Sequence, residues 1–250
     1  MNKIILIAHR GESLDAPENT LASINLAWER NADAVEIDVH LTADKKIAVI
    51  HDSNTRRTAG KYLKVNAQPL SELKKLDVGI FKGSRWTNER IPSLEEVLDN
   101  VPDNKMLFVE IKCGAEIITE LYSVIKRSRI KHDQVKIISF SFKIMSLVKE
   151  NFNSHEVFWL RNVEKNYLQF WKLKHDEIIS ESLRHKLDGL DVKYSKSFNY
   201  EFADKIKSAG LKLFVWTVNN PENAIDLINM NVDGITSDNQ YYLREKIGLI

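Results

Sequence analysis

The sequence predicts an α/β protein, a (β/α)8 TIM barrel, and three observations carry the prediction. Short apolar runs of strand type recur eight times, segments of helical period stand between them, and 250 residues is a length at which such a barrel closes as a single domain. An open doubly wound sheet is the other topology that this alternation allows.

The strand-type runs are "IILIA" (4–8), "AVEIDV" (34–39), "LFVEI" (107–111), "KIISF" (136–140), "EVFWL" (156–160), "LDGLDV" (187–192), "KLFVWT" (212–217) and "DGIT" (233–236). Helical patterns between them are "TLASINLAWERN", "SLEEVLDNV", "ITELYSVIKRS", "FKIMSLVKEN", "NYEFADKIKSAG" and "PENAIDLINMN". Ser93 and Glu96 form a capping-box pair, Pro221 suits a first helical turn, and Gly210 suits a C-terminal cap. "IAVIH" (47–51) follows the second strand too closely for a crossover helix, so it predicts a hairpin. A four-residue loop over 43–46 would set Thr42 against Ile47, His40 against Val49 and Asp38 against His51. The polar stretch of about 53–90, with one short helical pattern at "LSELKKL", predicts a small insertion over the barrel mouth.

Composition excludes several function classes. Hydrophobic residues are 43% and charged residues 28%, as in a globular chain with a substantial core. Lys and Arg number 36 against 35 Asp and Glu, so no overall field favours nucleic acid or an anionic membrane, and an anionic ligand must be held locally. No apolar run approaches the ~18 residues of a membrane span, and "IILIA" is too short for a signal peptide, so a cytoplasmic protein is expected. Cys113 is the single cysteine, which rules out an internal disulfide and a thiolate zinc cluster.

In such a barrel the active site lies where the strands end. The first strand ends in His9-Arg10, the second in Glu36-Ile37-Asp38, the hairpin in His51-Asp52, the third in Glu110-Ile111-Lys112 and the seventh in Trp216-Thr217. Residues two apart share a face, which pairs Glu36 with Asp38 and Glu110 with Lys112. Three carboxylates at one rim raise one another's pKa unless a cation stands between them, and an all-oxygen set suits Mg²⁺ or Ca²⁺ better than zinc. Two flanking imidazoles, His9 and His51, can take and give a proton at one centre. Arg10 and Lys112 can hold a phosphate, although Lys112 equally suits an ion pair with a neighbouring acid. His40, His132, His155, His175 and His185 receive no role.

The ordered set "HRG", "PENT", "EIDVHLTADKKIAVIHD", "RIPSLEEVL", "VEIK", "ISF", "VWTVNN" and "DGITSD", spread over nearly the whole chain, resembles the glycerophosphodiester phosphodiesterase family. The resemblance implies a barrel that hydrolyses phosphodiesters such as glycerophosphocholine with one divalent cation, Mg²⁺ or Ca²⁺. It implies catalytic His9 and His51, metal-binding Glu36, Asp38 and Glu110, and phosphate-binding Arg10 and Lys112. Glu18 of "PENT" matches a family position, with Asn19 or Thr20 suited to cap the first helix, and Trp216 is expected to wall the glycerol side. His40 stands where many relatives carry Gln, and "SDN" replaces a common "TDxP", so Asp238 is not assigned. The expected activity releases glycerol 3-phosphate and an alcohol. Two alternatives are lysophospholipase D action on a lipid with one acyl chain and a noncatalytic barrel that binds a phosphorylated metabolite. The former would need an apolar channel near the insertion, to which Phe81 and Trp86 would contribute unless they are small-domain core.

Overall fold

The computed structural model describes residues 4–163, 175–195 and 198–249. Along the chain run β1 (Ile5–His9), α1 (Leu21–Glu29), β2 (Ala34–Leu41), β3 (Ile47–Val49), α2 (Arg56–Ala59), α3 (Leu70–Leu73), α4 (Leu94–Asp99) and β4 (Met106–Ile111). Then come α5 (Ile118–Arg127), β5 (Val135–Ser139), α6 (Phe142–Asn151), β6 (Glu156–Arg161), α7 (His175–Arg184) and β7 (Gly189–Lys193). The chain continues through α8 (Tyr200–Ser208), β8 (Lys212–Trp216), α9 (Pro221–Asn229), β9 (Gly234–Ser237) and α10 (Gln240–Lys246). Eight parallel strands pair in the cyclic order β1-β2-β4-β5-β6-β7-β8-β9, and β9 pairs back to β1. The sheet is therefore a closed (β/α)8 barrel and not an open one.

Alternation along the strands separates two cores. Outward residues such as Leu6, Val35, Leu107, Ile137, Val157, Leu190, Leu213 and Ile235 join the large cluster beneath the helices. Inward residues Ile7, Phe108, Ile138, Phe158, Leu160 and Phe214 form a second, aromatic-rich cluster inside the barrel. Phe158 and Phe214 meet edge-on with centroids 4.8 Å apart, a favourable geometry for the ring quadrupoles. This plug closes the barrel, so polar groups on the same inward faces are confined to its two ends. Lys136, Glu156 and Lys212 pair at the N-terminal end. The inward carboxylates of β2 and β4 gather at the other.

Helix ends follow local chemistry. Thr20 caps α1, and Ser93 caps α4 by accepting from Glu96 N while Glu96 accepts from Ser93 N. Pro221 occupies the first turn of α9, and Gly210 follows α8 at φ +76°. Helices α7 and α10 lie beyond the six helical patterns read from the sequence.

The hairpin register differs from expectation. Val39 pairs with Val49, His40 with Ala48 and Leu41 with Ile47, one residue away from the predicted pairing. The cause is the turn: Ala43 to Lys45 form a three-residue loop, closed by Thr42 N donating to Lys46 O (2.9 Å), with Lys45 left-handed at φ +59°. Ile50, not His51, therefore stands opposite Asp38, donating its N–H to Asp38 O at 2.9 Å. Strand β3 occupies the edge of β2 that β1 leaves open after His9, since β4 fills the other edge as far as Val39. Ala48 and Ile50 then share an aliphatic cluster with Val65, Leu70, Leu73, Val78 and Ile91 of the following segment. Phe81 is 43% exposed and Trp86 half-buried beneath Arg85, so neither belongs to that cluster.

Candidate active site

The "HRG" motif works through backbone geometry. Strand β1 ends at His9, and Arg10 takes a left-handed conformation at φ +57°, which orients its N–H to donate to Glu36 Oε2 at 3.0 Å. Gly11 follows at φ +82°, where a Cβ would sit 2.5 Å from the Ser23 backbone of α1. Ser23 Oγ donates to Arg10 O at 2.9 Å, so the first turn of α1 fixes this loop. Asn19, also left-handed, donates to Asp38 Oδ2 at 2.8 Å and accepts from Asp38 N at 3.1 Å. Thr20, not Asn19, is the helix cap.

Strands β2 and β4 bring Glu36, Asp38 and Glu110 together, with carboxylate oxygens within 4.8 Å of one another. Glu36 Oε1 and Asp38 Oδ1 are buried without a hydrogen-bond partner. Burial and the charges of Asp38 and Glu110 push Glu36 well above the usual carboxylate range. Burial and the Asp38 charge raise Glu110 to about 7. Asp38 is instead held low, despite burial, by Arg10, Lys112 and its Asn19 hydrogen bond. Such a set repels itself, and Arg10 and Lys112 leave Glu36 Oε1 and Asp38 Oδ1 without a hydrogen bond, which is what a hard cation supplies; the spread is spanned by two metal–oxygen bonds of ~2.0–2.6 Å. The donor set therefore fits Mg²⁺ or Ca²⁺.

Arg10 Nη1 donates to Glu18 Oε1 at 2.9 Å, and its Nε lies 3.2 Å from Asp38 Oδ2. Lys112 Nζ donates to Glu110 Oε1 at 2.8 Å and lies 3.5 Å from Asp38 Oδ1, so it forms the ion pair that its position allowed. Both cations line one cavity of about 340 Å³ with His9, His51, Glu36, Glu110, Asp191 and Trp216. Lys112 Nζ also sits 5.9 Å from the Phe140 ring centre.

Each histidine is anchored by a carboxylate. His9 Nδ1 donates to Asp238 Oδ1 at 2.6 Å, and Asp238 also accepts from Asn219 Nδ2 at 2.8 Å. Those bonds and the His9 charge hold Asp238 down to about 2 against the cost of burial, so it accepts and Nδ1 carries the proton. His51 Nδ1 donates likewise to Asp52 Oδ1 at 2.7 Å. In the neutral form of either ring this leaves Nε2 as the acceptor. Although unpaired in the hairpin register, His51 reaches the cavity because the chain turns after β3 and its carbonyl accepts from His40 Nε2 at 3.0 Å.

Reading the sequence overlooked a further network. Arg57 donates from Nε to Asp52 Oδ2 (2.8 Å) and from Nη1 and Nη2 to the two oxygens of Glu18 (2.6 and 2.8 Å). It thereby links the segment after β3 to the anchor of His51 and, through Glu18, to Arg10. No local motif marks Arg57, whereas Asp52 adjoins His51 and was legible. Trp216 lines the cavity and its Nε1 donates to Asp191 O at 3.2 Å. Asp191 itself is 2% exposed, with Oδ1 unpartnered, and is raised well above the usual range by burial and by Glu110.

Three comparisons agree with this geometry. The Glycerophosphoryl diester phosphodiesterase family model matches residues 9–240. The chain is 36% identical over 244 residues to the glycerophosphodiester phosphodiesterase of Caldanaerobacter subterraneus subsp. tengcongensis, with 94% of each chain covered. A phosphodiesterase of Oleispira antarctica, solved with its product sn-glycerol-3-phosphate, superposes with a TM-score of 0.85 at 29% identity, covering 98% of this chain and 96% of that one. The glycerophosphodiester phosphodiesterase of Thermotoga maritima gives 0.79 at 27% identity over 98% and 99% of the two chains. Among the described residues no helix is long and apolar enough to cross a membrane. From the span of the family match and the identity to a curated relative, the chain belongs to the glycerophosphoryl diester phosphodiesterase family.

Proposed function

We propose that the protein hydrolyses glycerophosphodiesters to glycerol 3-phosphate and an alcohol, with His9 and His51 as the acid/base pair. The observation that carries this reading is the pair of imidazoles, each tied at Nδ1 to a carboxylate, lining one cavity with Glu36, Glu110, Arg10 and Lys112. Glu36, Asp38 and Glu110 would hold the divalent cation. When bound, it supplies positive charge to a nonbridging phosphate oxygen and relieves the repulsion within the cluster.

The chain's own groups then act in two steps. One imidazole takes the proton of the glycerol hydroxyl next to the phosphate-bearing carbon as that oxygen attacks phosphorus, and the other protonates the departing alcohol oxygen. Water next opens the cyclic phosphate, with the two imidazoles exchanging roles. Asp238 and Asp52 keep each ring in the tautomer that presents Nε2 and stabilise the imidazolium once it forms. Arg10 has five N–H donors, so it keeps capacity for phosphate oxygens beyond its bond to Glu18. Lys112 adds a point charge beside Glu110. Trp216, which lines the cavity, would wall its glycerol side.

Product analysis tests this directly. With Mg²⁺ or Ca²⁺, glycerophosphocholine should yield glycerol 3-phosphate and choline, while lysophosphatidylcholine in parallel should be a poor substrate. Preference for the lysolipid would establish lysophospholipase D action instead, and binding without release would establish a noncatalytic barrel.

A further inference from the structure

Asp191 is used by neither the cation cluster nor the proton-transfer pair. It faces the barrel interior, because Leu190 and Val192 on either side join the outer core and Asp191 pairs in register with the inward Phe214. In the ring of eight strands β7 stands opposite β2, so Asp191 closes the side of the cavity away from Glu36 and Asp38. Its partners in register on either side, Leu160 and Phe214, offer no side-chain donor, and its Oδ1 is buried without a hydrogen-bond partner. Its own carbonyl accepts from Trp216 Nε1, so the indole wall and this carboxyl are fixed together. A carboxyl oxygen buried without a partner is costly in the free protein unless a ligand supplies the missing hydrogen bond.

We propose that Asp191 hydrogen-bonds the terminal hydroxyl of the substrate's glycerol group, and that this bond makes a free hydroxyl there a condition for good turnover. The inference rests on the phosphodiesterase reading above. With the phosphate held by Arg10 and Lys112, a glycerol arm directed across the barrel meets Asp191 at its enclosed side. A carboxyl at 2% exposure suits a small neutral hydroxyl. The bulky alcohol that leaves needs the open mouth. An acyl ester at the terminal position removes the O–H and puts a long chain where the cavity is enclosed, so the same side of the site disfavours lysophospholipids.

The test compares three substrates under saturating divalent cation: sn-glycero-3-phosphocholine, its 2-hydroxypropyl analogue, which keeps the attacking hydroxyl but lacks the terminal one, and an acyl lysophosphatidylcholine. The wild-type protein should favour the first by on the order of 10²-fold in kcat/KM. Asp191→Ala should lose about that factor on the first substrate, chiefly through KM, and leave the analogue nearly unchanged. Asp191→Asn, which is isosteric and retains hydrogen-bonding groups, should fall between them, and thermal melting verifies that both variants are folded. Equal losses on glycerophosphocholine and on the analogue, or a wild-type protein indifferent to the terminal hydroxyl while active, would overturn the inference alone. A wild-type protein inactive on all three would overturn the phosphodiesterase reading and the inference with it.

Discussion

Glu110 should make the cation-free protein lose stability as pH rises. Its carboxyl is raised from an ordinary 4.5 to about 7 by burial first and by Asp38 second. Between those values the folded chain holds a proton that the unfolded chain has released, so unfolding free energy falls with increasing pH. At ~1.4 kcal/mol per pH unit the difference amounts to about 3 kcal/mol, and the side chain is buried enough that solvent screening does not discount it. Glu36, raised for the same reasons, acts in the same direction. Asp38 and Asp238 are lowered, so their contributions are lost only as the solution becomes strongly acidic, below this window. His40 and His155, lowered by burial, act in the opposite direction, because their neutral forms are favoured on folding. The difference between wild type and Glu110→Gln reports this carboxyl together with the relief it gives Glu36 and Asp191, which its charge raises. Urea unfolding in chelator, followed by tryptophan fluorescence from about pH 5 to about pH 7.5, should show Glu110→Gln gaining about 2 kcal/mol on the wild type across the range, the rest of the difference lying below pH 5. Saturating cation should narrow or reverse the gap, since binding at ~100 times Kd is worth about 2.7 kcal/mol to the protein that binds it. Parallel curves for the two proteins without cation would refute this reasoning.

His9→Ala and His51→Ala should each lower kcat by on the order of 10²–10⁴ with the thermal midpoint little changed; a variant that kept near wild-type turnover would remove that histidine from proton transfer. Asp238→Asn should lower kcat and alter the pH–rate profile, because an amide no longer enforces the Nδ1–H tautomer of His9; an unchanged profile would contradict that positioning role. Arg57→Gln should lower kcat more than it raises KM and be partly rescued by Arg57→Lys, since a single ammonium replaces only some of the bonds to Asp52 and Glu18. Indifference of kcat to both changes would show that this network does not position His51.

Much of the barrel was legible because its signals are local. Apolar strand runs, the Ser93 capping box and Pro221 each reflect a short-range preference that tertiary packing reinforces. The cluster of Glu36, Asp38 and Glu110 was legible because strand alternation converts spacing into a shared face. The hairpin register was not, because it depends on Lys45 adopting a left-handed conformation that no glycine announced. His51 arrives at the cavity by another device, the hold of His40 on its carbonyl. Asp238 was left unassigned because "SDN" departs from the common "TDxP" and its partner His9 lies 229 positions away, and Arg57 was missed because Glu18 lies 39 positions away. Asp191 did leave a sign: an acid two positions after Gly189 within an apolar strand, on the face that turned out to be inward.

The central claim is that Glu36, Asp38 and Glu110 gather one hard cation on which the chemistry depends. Calorimetric titration of Mg²⁺ and of Ca²⁺ into chelator-treated protein, with hydrolysis of glycerophosphocholine measured on the same samples, tests it most directly. The account predicts one cation per chain for at least one of the two ions, turnover restored as that site fills, and both lost in Glu36→Gln and Glu110→Gln. Turnover undiminished in excess chelator, or binding unchanged by either substitution, would contradict it.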